Sequence, residues 1–246
     1  MKIIDLEHWP RRQHFELFRE MALPHFSLCA NVEVTALRPW LKAQELSFNL
    51  ALTYVTSRAA NALPEFRQRI RGTTVVEHET VHPSFTVLTA DELFSFCSVA
   101  YTDDFRAYMA RAAAQVARVK AALLLEDEPG RDDYLFMTSL PWITFTSIQH
   151  PIPLPADSVP RIAWGKVFAQ GERLWLPLAV QGHHALMDGL HAGRFYERVQ
   201  ALLDAPASLD AYAVSYTHLR AHETVLDLVC RLLLEKKKTN THTHTQ

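Results

Sequence analysis

The sequence predicts a single α/β domain, on three observations. The chain has 246 residues, 48% of them apolar and 21% charged, which is enough to bury one substantial core. Stretches with apolar residues at helical spacing alternate along it with stretches rich in β-branched and aromatic residues. No repeat and no linker-like stretch interrupts this order before Ala213, so residues 1–212 read as one domain.

Pro10 can open a helix, because the N–H it lacks would have no partner there. Helical spacing then runs through Arg11–Ala22. Phe26–Val34 alternates as a strand. Thr35 is placed to cap a helix at Ala36–Ala43. Phe48–Ala62 is a longer helix, with Leu50, Tyr54, Val55, Arg58 and Ala59 along one side and Pro64 ending it. Four strands follow at Phe66–Arg71, Val75–Glu79, Ser84–Leu88 and Leu93–Ala100, punctuated by Gly72 and Pro83. Asp103–Leu125 is helical and Glu126–Asp133 a charged loop. Tyr134–Leu140 and Ile143–Ile148 read as strands broken by Pro141, and His150–Pro155 as a proline-stiffened connection. Arg161–Ala169 and Glu172–Gly182 form a hairpin across Gln170-Gly171. Its second arm is almost continuously apolar, which implies burial on both faces or in a subunit interface. Pro177 within that arm requires a bulge or an edge. Leu190–Leu203 is the last helix.

From Ala213 the composition changes, with a Lys-rich run and then a Thr/His alternation. Residues 213–246 resemble translated sequencing-adapter read-through. They are expected to be a tail outside the domain, an artefact of translation or disordered, and their histidines are not read as a metal tract.

Several function classes are disfavoured. The net charge of −2 gives no basic field for nucleic acid. With only seven glycines, neither a G-x-G-x-x-G nor a G-x-x-x-x-G-K-[ST] loop occurs. Cys29, Cys97 and Cys230 are too few and too scattered for a disulfide framework or a zinc ribbon. No apolar signal core or membrane-spanning run is present, so a cytoplasmic protein without membrane or nucleic-acid partners is expected.

Three stretches carry candidate chemistry. In Q-G-H-H-A-L-M-D-G-L-H-A-G-R, an apolar strand delivers His184 to a turn, with Asp188 and Gly189 just beyond. Imidazole titrates near neutrality and suits a general base; a pair of structural histidines beside a turn is the plainer alternative. A metal set of His183, His184, Asp188 and His191 is disfavoured, since adjacent strand residues diverge. In W-P-R-R-Q-H-F-E, Arg11 and Arg12 sit at a helix N-terminus, where cations are unfavourable. Either a carboxylate holds one of them or both are solvated. T-S-L-P-W-I-T-F-T-S places hydroxyls around a Pro-Trp corner, able to serve backbone carbonyls or an oxyanion.

Taken together and in order, W-x-R-R-x-H-F-E, V-H-P-x-F-T-V (Val81–Val87), Y-x-D-D-F (Tyr101–Phe105), L-P-W-I-T-F-T-S and L-P-L-A-V-Q-x-H-H-A-x-x-D-G-x-H-x-x-R-F resemble the chloramphenicol acetyltransferase family. The match runs from Ile4 to about Leu203. A lone H-x-x-x-D-G also occurs in dihydrolipoyl and carnitine acyltransferases and in condensation domains; five blocks in order, without a lipoyl domain, point to this family. The resemblance implies a two-layer α/β sandwich of a mixed β-sheet with helices, the CoA-dependent acyltransferase fold. It implies a homotrimer with active sites at subunit interfaces, acetyl-CoA as co-substrate, no metal, and a small-molecule alcohol as acceptor. By resemblance His184 is the base and Thr138 the oxyanion donor, in place of the family's serine. Arg11 and Asp188 then form a buried structural ion pair. Phe18 and Phe94 line the acceptor pocket with His150, where the family usually has an apolar residue, and Lys166 lies near the coenzyme. Ala163 stands where studied members have an acceptor-side threonine. The implied activity is O-acetylation of chloramphenicol by direct transfer. The alternatives are acetylation of another hydroxylated small molecule and a non-catalytic trimeric drug-binding protein.

Overall fold

The structure, a computed structural model, describes residues 1–120, 128 and 130–211. Its elements are β1 (Lys2–Ile3), α1 (Arg12–Arg19), β2 (His25–Glu33), α2 (Leu37–Ala43), α3 (Phe48–Asn61), α4 (Pro64–Arg67), β3 (Gln68–Arg71), β4 (Thr74–Glu77), β5 (His82–Leu88), β6 (Phe94–Ser98), α5 (Phe105–Lys120), β7 (Tyr134–Ser139), β8 (Arg161–Trp164), β9 (Phe168–Gln170), β10 (Arg173–His183) and α6 (Gly189–Asp204), then a short 3-10 turn at Pro206–Leu209. The large sheet runs β2-β10-β8-β7-β5-β6, with β9 also on β10. It is mixed: β5/β7 and β7/β8 are parallel and its other pairings antiparallel. A small antiparallel sheet, β1-β4-β3, stands apart.

Helices cover one face of the large sheet. Met137, Ile162, Leu178 and Val180 on the strands share one core with Leu52, Val55, Tyr108 and Phe195 on α3, α5 and α6. The period of two sends the neighbouring residues to the other face: Thr86, Thr138, Ala163, Ala179 and Gln181. This two-layer arrangement is the expected fold class.

α3 is buried nearly all round, from Leu50 to Ser57, rather than along one side. Its hydroxyls make this possible by donating back to the helix: Thr53 to Leu50 O (2.7 Å), Thr56 to Leu52 O (2.7 Å) and Ser57 to Thr53 O (2.6 Å). Pro64 follows it as the first residue of α4, turning Phe66–Arg67 helical where a strand was expected. α1 is shorter than its periodicity and is followed by the turn at Glu20–Pro24. α5 begins at Phe105, its first turn capped by Asp104 Oδ1, which accepts from Ala107 N at 2.9 Å. The expected extension of α5 to Leu125 lies outside the described residues.

Three expectations are corrected. Thr35 does not cap α2. Its hydroxyl accepts from Leu174 N at 2.9 Å instead, tying the end of β2 to β10. No strand forms at Ile143–Ile148: the chain turns at Pro141-Trp142, and the N–H of Ile143 is spent in that turn, donating to Leu140 O at 3.3 Å. The Arg161–Ala169 arm is two strands, broken at Gly165–Val167 opposite Pro177. There Gly165 N donates to Pro177 O at 3.0 Å and Lys166 N to Ile143 O at 2.7 Å. Pro177 is thus accommodated in an interior strand because its neighbour breaks beside it.

A side chain at Gly165 would have no room: a Cβ there would stand 2.7 Å from Pro177 Cγ and 2.9 Å from the Ile143 carbonyl. Gly165→Ala is therefore expected to cost about 1–3 kcal/mol through overpacking. A urea midpoint unchanged from the parent protein would contradict this account of the strand break.

Candidate functional site

β10 ends at His183, and a tight turn carries His184–Met187 into α6. The two histidines do diverge. His183 packs edge-on against His25, at 5.0 Å between ring centroids. His184 stacks on Phe18 (4.0 Å, 11° between planes) and touches Phe26 (5.0 Å). Their tautomers differ as well. His183 Nδ1 accepts from Ala185 N at 3.2 Å, so it carries no proton. His184 Nδ1 lies 3.2 Å from Met187 O; a carbonyl only accepts, so that nitrogen carries the proton and Nε2 keeps a free lone pair.

The turn is held by Arg11, just before α1. Its guanidinium donates to Asp188 Oδ2 at 2.6 Å, His184 O at 2.8 Å and Ala185 O at 3.1 Å. The pair is partly buried, with 12% and 31% of the two side chains exposed. Asp188 also caps α6, its Oδ1 accepting from Leu190 N at 3.0 Å. Burial alone would raise the Asp188 carboxyl, but the Arg11 guanidinium, by hydrogen bond and by charge, holds it below the usual carboxylate range. Asp188 therefore faces Arg11 and not the His184 ring.

The other expected residues lie elsewhere on the domain. Thr138 is on β7, on the sheet face away from the helices, with its hydroxyl 3.1 Å from that of Thr86. Phe94 is at the start of β6, half exposed and against Phe96. His150 is tethered through its N–H to Gln181 Oε1 at 2.9 Å, and its Nδ1 lies 3.2 Å from the same oxygen. Lys166 is exposed at the strand break. Thr138 pairs with Ala163 and Ala163 with Ala179, five residues short of His184. At about 3.3 Å per residue and 4.8 Å between strands, Thr138 and His184 are roughly 20 Å apart within one chain. Among the described residues no group of three or more His, Cys, Asp or Glu side chains converges as a metal site.

Sequence reasoning missed Phe26, Thr86, Glu65 and the role of His191 in the α6 cap. Only the last left a signal, since Asp188 and His191 stand at capping-box spacing.

The mixed sheet covered on one face by helices, with a histidine-bearing turn at the end of its long strand, defines an α/β acyltransferase fold. A solved chloramphenicol acetyltransferase superposes with a TM-score of 0.73 and 28% identity, covering 82% of this chain and 99% of that one. The dihydrolipoamide acetyltransferase of Azotobacter vinelandii shares the fold at 20% identity (TM-score 0.62, 80% of this chain and 88% of that one). The family model for chloramphenicol acetyltransferase matches residues 1–200. Chloramphenicol acetyltransferase 2 of Escherichia coli is 34% identical over 204 residues, which is 82% of this chain and 96% of that protein. The chain belongs to the chloramphenicol acetyltransferase family and is an acyltransferase.

Burial, with the neighbouring His25 next, pushes His183 down to about 4. A histidine depressed in the fold is neutral there, while the unfolded chain binds a proton below about pH 6.5. Its contribution to stability is thus complete above pH 6.5 and is lost as pH falls through 4. The unfolding free energy is expected to fall by on the order of 3 kcal/mol across that window, with a shallower slope in His183→Asn. Equal slopes in urea titrations of the two proteins would count against a neutral, buried His183.

Proposed function

We propose that this chain is an acetyl-CoA-dependent O-acetyltransferase that acetylates a hydroxyl of chloramphenicol. The observation that carries the reading is the 3.2 Å approach of His184 Nδ1 to the Met187 carbonyl, which puts the ring proton on Nδ1 and the lone pair on Nε2. That nitrogen can take the proton of an acceptor alcohol. The alcohol oxygen then attacks the thioester carbonyl directly. The tetrahedral intermediate carries an oxyanion, to which the Thr138 hydroxyl donates. Collapse breaks the C–S bond, and the imidazolium returns its proton to the departing thiolate. Arg11 and Asp188 take no part in the proton transfer; they hold the turn.

The working form in this reading is a homotrimer with sites between subunits. The roughly 20 Å between Thr138 and His184 favours it, because one chain cannot bring both to one substrate. So do the exposed Trp142 and Ile143 (63% and 54% exposed) beside the strand that carries Thr138. Phe18 and Phe94 then line the acceptor site with His150, and Lys166 approaches the coenzyme. The free thiols of Cys29 and Cys97 suit a reducing cytoplasm.

His150 favours a second reading in which the acceptor is a different hydroxylated molecule. Its Nε2 is buried and has no hydrogen-bond partner among the described residues, so the surroundings of this ring can offer an acceptor a polar contact. A protein that binds the drug without turning it over would have no use for a His184 ring held with its lone pair on Nε2.

Incubation with acetyl-CoA and chloramphenicol is expected to release thiol. His184→Ala should lower the rate at least a hundredfold while leaving chloramphenicol binding largely intact. Release with other alcohols only would replace chloramphenicol as acceptor, and a near-normal rate in His184→Ala would remove the histidine from its role. We assign the activity to residues 1–212. A chain ending at Tyr212 is expected to keep its rate and its assembly state by size-exclusion chromatography, and loss of either would return residues 213–246 to the functional protein.

A further inference from the structure

His191 lies in the first turn of α6 and is partly buried, with 13% of its side chain exposed. Its Nδ1 meets the backbone N–H of Asp188 at 3.1 Å. On the other side of the ring, Nε2 is 3.4 Å from Glu65 Oε1, at the start of α4. The Asp188 N–H belongs to the same peptide unit as the Met187 carbonyl, which takes the Nδ1 proton of His184. Two histidines therefore stand at opposite ends of a single amide. The sequence runs from the Glu65 carboxylate to the His191 ring, through the Met187–Asp188 peptide, to the His184 ring.

We propose that His191, oriented by Glu65, is a positioning residue for His184, acting through the Met187–Asp188 peptide. This rests on the reading of His184 as the base. The donors all point one way. An Nδ1 that accepts from Asp188 N carries no proton, so the proton is on Nε2, which faces the Glu65 carboxylate at 3.4 Å and is drawn toward it by charge. The peptide gives its N–H to His191 and offers its carbonyl to His184. The Glu65 carboxylate polarises the His191 ring through space, and the two hydrogen bonds beyond it pass that polarisation on. Electron density therefore moves toward the His184 ring, and the plane of the amide fixes the direction of its Nδ1–H. The other carboxylate that faces His191 is engaged elsewhere. Asp188 Oδ1 lies 2.9 Å from Nδ1 and already accepts from Leu190 N, and Arg11 neutralises the carboxylate through Oδ2. A proton on Nδ1 would satisfy Oδ1 but leave the Asp188 N–H without an acceptor at the helix start.

The test compares His191→Leu, His191→Asn and Glu65→Leu in the full chain. Asparagine places an amide oxygen where Nδ1 stood and can still accept from Asp188 N, whereas leucine cannot. His191→Leu is expected to lower kcat about tenfold with both KM values within twofold of the parent, and His191→Asn to restore most of that loss. Glu65→Leu should give a smaller, severalfold fall and covers the case in which His191→Leu does not fold. Nitrogen-15 NMR of the His184 ring needs no turnover: it should show one Nδ1–H tautomer in the parent and a mixture in His191→Leu and Glu65→Leu. If His184→Ala leaves acetyl transfer intact, the base assignment fails, and the ring shifts still decide whether the peptide link exists. Unchanged kcat and unchanged His184 shifts in the variants overturn the proposal. So does a lowered Tm with both KM values raised and the His184 tautomer unmoved, which would mark His191 as a structural cap only.

Discussion

The site depends on one side chain that comes from the far end of the sequence. Arg11 donates to the carbonyls of His184 and Ala185 and to the carboxylate of Asp188, so a single guanidinium fixes three points of a five-residue turn. Only arginine presents donors in a rigid planar fork wide enough for this; lysine would reach one point at a time. The arrangement also accounts for a cation at a helix N-terminus, where the macrodipole disfavours it. The local penalty is tenths of a kcal/mol to about 1 kcal/mol, whereas leaving the turn carboxylate unpaired in a partly buried site costs about 3 kcal/mol or more.

Around that turn the sheet divides the labour between its faces. The helical face is apolar, and the hydroxyls on α3 are turned inward to their own backbone. The open face carries polar groups at matched heights: Thr86 beside Thr138, and Gln181 beside His150. His25, His150 and His183 are all held toward the neutral form, chiefly by burial, and the Arg161 charge adds to this for His25 and His150. This face is therefore rich in hydrogen-bonding capacity but poor in free charge, a setting that favours an uncharged polar ligand over an ionic one. Arg161 does not spoil this, because Asp157 pairs with it at 2.6 Å.

Much of this was legible in the residues. Periodicity located β2, α3, α6 and the long β10, since long patterned segments carry the strongest signal. The H-x-x-x-D-G spacing singles out His184, and the family resemblance pairs Asp188 with Arg11, as the hydrogen bond between them does. Other features depended on partners that pattern does not encode. Thr35 had the right chemistry for a cap, but the N–H of Leu174 claimed its hydroxyl. Ile143–Ile148 had the composition of a strand, but its first residue is bonded into the preceding turn and the strand break, to Leu140 O and Lys166 N, rather than into a ladder. Alternation assigned Thr138 to a face, yet gave no lateral distance from His184, because that depends on strand order. Glu65 beside His191 is a contact between residues 126 positions apart (191 − 65), and nothing local announces it.

The span between Arg11 and Asp188 sets a clock on the ribosome. The guanidinium emerges early, and its carboxylate follows 177 residues later (188 − 11), about 10–35 s at ordinary rates of synthesis. Throughout that interval β2 lacks the strand it pairs with, since β10 belongs to the same late segment. Its hydrogen-bonding edge is open to other chains, the condition under which nascent sheets aggregate. The last quarter of the domain thus completes the sheet, covers that edge and delivers the histidine turn to its waiting arginine in a single closing event.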